Sequence, residues 1–157
     1  MKILSFDQST KCTGWCYYDD GRYVKSGVIS KDNSDTDRRV VEMGLAICKK
    51  IKEFQPDLVV IEDTQNQNSV KTVIHLARLQ GCIMLYCGSK KIKFKILHPA
   101  EWRKQLEFKQ GPKVKRDELK QQSRDYVKNV LGLSIKSEDE NEAICLGVVA
   151  NKLYNTK

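Results

Sequence analysis

The chain has 157 residues, of which 40% are apolar and 31% charged, with only three prolines; this suits one domain, residues 1–157, around one core and argues against a long disordered region or a second lobe. No apolar run approaches the ~20 residues of a membrane span, and the early charges of Lys2 and Asp7 do not suit a signal peptide, so a soluble cytoplasmic protein with no membrane partner is expected. The net charge of +8 is localised: residues 90–128 carry 13 Lys/Arg against 5 Asp/Glu, while the remainder balances at 15 against 15, a block that fits contact with a polyanion better than uniform solvation does.

Residues 2–7 alternate as a short strand, with Leu4 and Phe6 on one face, Ile3 and Ser5 on the other, and Asp7 at the end. Residues 12–18 and 22–29 flank Asp19-Asp20-Gly21, a hairpin signal. Residues 37–54 carry Val40, Val41, Leu45, Cys48 and Ile51 at helical spacing, with Asp35 or Asp37 available as a cap. Leu58-Val59-Val60-Ile61 is a continuous apolar run, as in a strand covered on both faces, and stops at Glu62. Residues 69–87 predict a second helix with Val70, Val73, Ile74, Ala77, Gly81 and Met84 inward, and 92–97 alternate like an edge strand. A short helical piece starts around Pro99 and Trp102, 109–116 form a loop, 117–131 a helix ended by Gly132, and 139–153 a last helix. The last packs through Ala143, Ile144, Gly147 and Val148. The order βββαβαβ, then helices, predicts an α/β fold with a mixed five-stranded sheet covered on both faces.

The six cysteines form no C-x-x-C pair and only two histidines are present, so reduced thiols are expected rather than a zinc site or a disulfide framework. The carboxylates say more. Two strands run apolar and then stop on an acid, Asp7 and Glu62, and strand ends are where α/β sheets gather ligands. Asp139 and Glu142 are three apart at a helix start and face the same way. If that helix crosses the strand ends, four carboxylates converge and need a cation. An all-oxygen set suits Mg²⁺ or Mn²⁺, and two such ions about 4 Å apart suit phosphodiester cleavage. Each acid alone also reads as a turn, a solvated strand end or an acidic helix start; the basic block beside them favours a site.

In order and spacing, Ile3-Leu4-Ser5-Phe6-Asp7, Thr13-Gly14-Trp15, Val59-Val60-Ile61-Glu62 and Asp139-Glu140-Asn141-Glu142-Ala143 resemble the RuvC family of Holliday-junction resolvases, its phage-type members most, within the RNase H-like superfamily. The resemblance implies an RNase H-like fold, a homodimer on a four-way DNA junction, and paired nicks, one per subunit. It implies that Asp7 bridges two Mg²⁺ ions and that Glu62, Asp139 and Glu142 complete their shells. Lys104, Lys113 and Lys115 match the family's basic region, where a cation neutralises charge on the scissile phosphate. Gln8-Ser9 stands where cellular members have Pro-Gly, Glu142 where aspartate is common, and residues 63–68 lack the usual aromatic. That last departure predicts broader activity on branched DNA, forks included.

Other readings stay open at this stage. A nuclease for RNA–DNA hybrid or structured RNA would share the acids and the fold. Phe6-Asp7-Gln8-Ser9-Thr10 also resembles the first phosphate loop of actin-like sugar kinases, though 157 residues leave no room for their second lobe. A non-catalytic DNA-binding module would not need all four acids. Helix 69–87, with Ala77 and Gly81, is a candidate dimer surface.

Overall fold

The computed structural model describes residues 1–64 and 69–155. One mixed sheet runs in the order β3-β2-β1-β4-β5. Its strands are β1 (Lys2–Asp7), β2 (Cys12–Asp19), β3 (Arg22–Ser30), β4 (Leu58–Glu62) and β5 (Lys93–Leu97). The first three pair antiparallel, while β4 lies parallel to β1, and β5 parallel to β4. The β2–β3 turn takes Asp20 and Gly21 through positive φ, 46° and 79°, the twist that a two-residue hairpin requires.

The helices are α1 (Thr36–Phe54), α2 (Val70–Ser89), α3 (Pro99–Gln105), α4 (Arg116–Leu131) and α5 (Glu138–Tyr154). Strand alternation sorts the core into two layers. Leu4, Phe6, Val59 and Ile61 pack with Met43 and Ile47 of α1 and Leu79 and Ile83 of α2. Ile3, Cys16, Tyr18, Leu58 and Val60 pack with α5, and with Trp102 and Val127, on the opposite face. Among the described residues no helix is long and apolar enough to cross a membrane.

Two helix faces differ from the sequence expectation. In α1 the buried stripe is Arg39, Val40, Met43, Gly44, Ile47 and Ile51, whereas Val41 and Leu45 stand 57% and 67% exposed. In α2 the buried stripe is His75, Leu79, Gln80, Ile83 and Cys87, and Val70, Ile74, Met84 and Leu85 are exposed. Each helix carries two apolar stripes, and its register on the sheet and on the other helix decides which is covered.

Helix α5 is buried almost all round, from Asn141 through Gly147 and again at Val149 and Ala150. It lies unusually close to the sheet. The Ser5 hydroxyl donates to the Ala143 carbonyl at 2.7 Å, and the Tyr18 hydroxyl to the Ile144 carbonyl at 3.0 Å. A Cβ on Gly147 would meet the Tyr18 ring at 2.4 Å, and one on Gly14 would meet the Asp139 carbonyl oxygen at 2.0 Å. Side-chain-free backbone at these two points is what lets the helix settle onto β1 and β2.

Candidate metal centre

Asp7 pairs in register with Gly14, and the missing side chain at Gly14 admits the start of α5 directly above. Ser137 caps that start by accepting from the Glu140 amide. The first turn then turns Asp139 and Glu142 toward Asp7, and one carboxylate oxygen from each of the three lies within 4.8 Å of the others. Their acidic neighbours are committed elsewhere. Glu138 pairs with Lys120 and Arg124 of α4, and Glu140 accepts from the Ser26 hydroxyl at 2.6 Å.

Glu62 ends β4 at the same sheet edge and lines the same cleft. It is held at both ends. Its carbonyl accepts from the side-chain amides of Gln8 and Gln80, and its carboxylate accepts from the Trp102 indole N–H at 2.8 Å. The next residue, Arg103, lies over the Trp102 ring, 4.9 Å from its centroid, and donates to Glu142 at 3.2 Å. Two successive residues of α3 therefore fix two of the four acids.

The electrostatics are those of an anion cluster short of cations. Burial raises the Asp7 carboxyl well above its ordinary value, and repulsion from Glu62, Glu142 and Asp139 adds to this. Burial pushes Glu62 up to about 7; Arg103 opposes this and Glu142 reinforces it. Bound divalent charge would invert this logic. The close-spaced donors are Asp7, Asp139 and Glu142, with Glu62 outside that 4.8 Å group; an oxygen-only set of this kind fits a hard divalent cation.

The acids lie on the wall of a cleft of about 870 Å³ whose other walls carry Lys11, Arg39, Lys71, Arg103, Arg116 and Lys120. The family model for crossover junction endodeoxyribonuclease RuvC matches residues 3–150. The chain belongs to the RuvC family. A Hydrogenovibrio crunogenus RuvC is 24% identical over 159 residues, spanning 99% of this chain and 89% of the relative. A Fusobacterium nucleatum RuvC is 29% identical over 154 residues, 94% of this chain and 77% of the relative. The structure of T. thermophilus RuvC in complex with Holliday junction substrate superposes with a TM-score of 0.76 at 12% identity, covering 100% of this chain and 99% of that one. At that identity the likeness is one of fold, the RNase H-like arrangement of sheet and helices.

In this chain the basic candidates fall differently from the sequence expectation. Lys104 lines a separate groove with Leu97, Glu101, Val149 and Tyr154. It follows Arg103 by one residue, and one helical step turns a side chain through about 100°. Lys113 and Lys115 are exposed on the loop before α4 and do not line the cleft. Arg103 and Arg116 do, and both act electrostatically on Glu62. The Arg103 Nε–H is buried without a partner among the described residues.

The sequence singles out neither Trp102 as a carboxylate donor nor Arg39; Gly14, which stands in the Thr13-Gly14-Trp15 motif, takes its role from the close approach of α5. His98 caps α3 through Nδ1, which accepts from the Ala100 amide at 3.3 Å, and Trp15 packs under α1 beside Phe54. Residues 65–68, where the sequence lacks an aromatic, lie outside the described residues.

Proposed function

We propose that this chain is a metal-dependent endonuclease that resolves four-way DNA junctions, and nicks other branched DNA, by hydrolysing phosphodiester bonds. The observation that carries it is the convergence of Asp7, Asp139 and Glu142 within 4.8 Å, with Glu62 alongside, in a cleft whose lining includes six Lys and Arg side chains. Acids alone suit a cation; a cleft with basic walls beside them suits a polyanion that must approach those acids.

In this reading Asp7, Glu62, Asp139 and Glu142 hold two Mg²⁺ ions, with Mn²⁺ able to replace them. Such ions, when bound, polarise the phosphoryl oxygens and activate water. The protein's own groups do the rest. Trp102 and Arg103 hold Glu62 and Glu142 at fixed separation. Arg103 and Arg116, both on the cleft wall, offset the growing charge of the phosphate. Lys113 and Lys115, on the exposed loop, track the strand outside the cleft. The enzyme acts as a homodimer, one nick per copy, through the exposed apolar stripe of Val41 and Leu45 on α1 and Ile74, Met84 and Leu85 on α2. A twofold pairing would place that stripe against itself.

The test is a cleavage panel in Mg²⁺ with four-way junction, Y-fork, linear duplex and RNA–DNA hybrid, using wild type and Asp7→Asn. Paired nicks in the junction, lost in the variant while binding persists, are expected. Preferential cutting of the hybrid would overturn the junction assignment, and activity in the presence of EDTA would overturn the metal chemistry.

A further inference from the structure

The cleft extends well past the carboxylates, and two of its buried polar groups are not used by the metal site. Arg39, on the first turns of α1, is only 8% exposed, yet among the described residues no carboxylate pairs with it. Its neighbouring acids are occupied: Asp35 caps α1, and Asp37 pairs with Arg78. The guanidinium instead donates to the Asn33 carbonyl at 2.5 Å and, at longer range, to the hydroxyl oxygens of Thr36 at 3.3 Å and Thr10 at 3.5 Å. His75 of α2 is 9% exposed, and neither ring nitrogen has a hydrogen-bond partner; Asp37 lies 3.5 Å from Nδ1, without hydrogen-bond geometry. Both residues line the same cleft as the metal site, together with Lys11 and Lys71.

A buried guanidinium without an anion is costly, because the desolvation of the charge is not offset by a counter-charge. Hydroxyls and a carbonyl satisfy some of its donors but none of its charge. The hydroxyls of Thr10 and Thr36 accept from Arg39, so the proton of each remains free to donate outward. A phosphodiester suits this set: one negative charge over two oxygens, matched to a planar fork donor.

We propose that Arg39, with Thr10, Thr36 and His75, forms a second phosphate subsite in the cleft, distinct from the metal centre, that takes a backbone phosphate of the bound DNA strand. It rests on the nuclease reading for the identity of the polymer. Its role is positioning: holding the strand at a phosphate removed from the cut decides which phosphodiester arrives over the carboxylates.

The experiment measures junction binding without divalent ion over a salt series, in an Asp7→Asn parent and in the same protein carrying Arg39→Gln or Arg39→Lys. Thermal melts of each protein run alongside. Loss of one phosphate contact lowers the slope of log K against log salt by about one. Arg39→Gln is expected to show that fall with its melting temperature retained, and Arg39→Lys to restore the slope. In proteins with Asp7 intact, Arg39→Gln is expected to raise KM more than it lowers kcat and to blur the cut position. Should Arg39→Gln not fold, Thr10→Val, which removes one outward donor, must weaken binding several-fold. An unchanged slope with a lowered melting temperature would make Arg39 a clamp between loops and overturn the subsite. Loss of inorganic-phosphate binding with the junction slope intact would overturn its assignment to DNA. Failure of the parent to bind junction at all would instead refute the nuclease reading, and the subsite with it.

Discussion

Glu62 provides a quantitative test of the anion cluster. Its carboxyl titrates at about 7, against an ordinary 4.5, chiefly because it is buried. The folded state therefore holds a proton that the unfolded chain releases earlier. Stability associated with this group is full below pH 4.5 and is lost as pH rises through 7. Each unit of displacement is worth about 1.4 kcal/mol, so keeping Glu62 ionised in the metal-free protein at pH 8 costs up to about 3 kcal/mol. Solvent reaching Glu62 through the cleft screens the charge, which makes this figure a ceiling. Glu62→Gln removes the charge and keeps an acceptor for the Trp102 indole N–H. Metal-free Glu62→Gln should thus match wild type near pH 4.5 and exceed it at pH 8, by roughly 6–12 °C in melting temperature at the ceiling. The assay is thermal denaturation in EDTA across that range. A difference independent of pH, or a variant less stable at pH 8, would refute the electrostatic account. Adding Mg²⁺ should stabilise wild type and shrink the gap, because ligand binding favours the folded form.

Gly14→Ala should abolish cleavage while leaving the strands in place, because the new methyl would overlap the Asp139 carbonyl and push α5 from Asp7; a loss of about 1–3 kcal/mol in denaturant unfolding is expected alongside. Arg103→Met leaves Glu142 buried without its partner and should lower single-turnover cleavage by ~100-fold or more, whereas Lys104→Ala, facing another groove, should change the rate less than about twofold. Leu45→Glu combined with Leu85→Glu should give monomers in sedimentation with unchanged far-UV circular dichroism, since both side chains are more than two-thirds exposed.

The strands and the two acids that end them were legible because period-two alternation and a terminal carboxylate are local features. Asp139 and Glu142 are picked out by their three-residue spacing, the following Ala143 and the family resemblance; the structure adds that α4 and β3 engage their neighbours Glu138 and Glu140. The helix faces of α1 and α2 were not legible. Each presents two apolar stripes, and periodicity reports that a stripe exists without reporting what covers it. That Arg103, and not its neighbour Lys104, lines the cleft is a matter of one helical step, set by where α3 docks. Gly14 is an ordinary strand residue until a helix from the far end of the chain lies upon it.

That helix also sets when the protein becomes an enzyme. The acids are drawn from residue 7, residue 62 and residues 139–142, and only the docking of α5 brings the last pair to the first. A chain that has formed its strands but not α5 would hold the two strand-end acids, Asp7 and Glu62, without Asp139 and Glu142. Under the proposed assignment, such a precursor would lack two of the four carboxylates offered to the metal. On the proposed ligand set, metal affinity would report that α5 has docked.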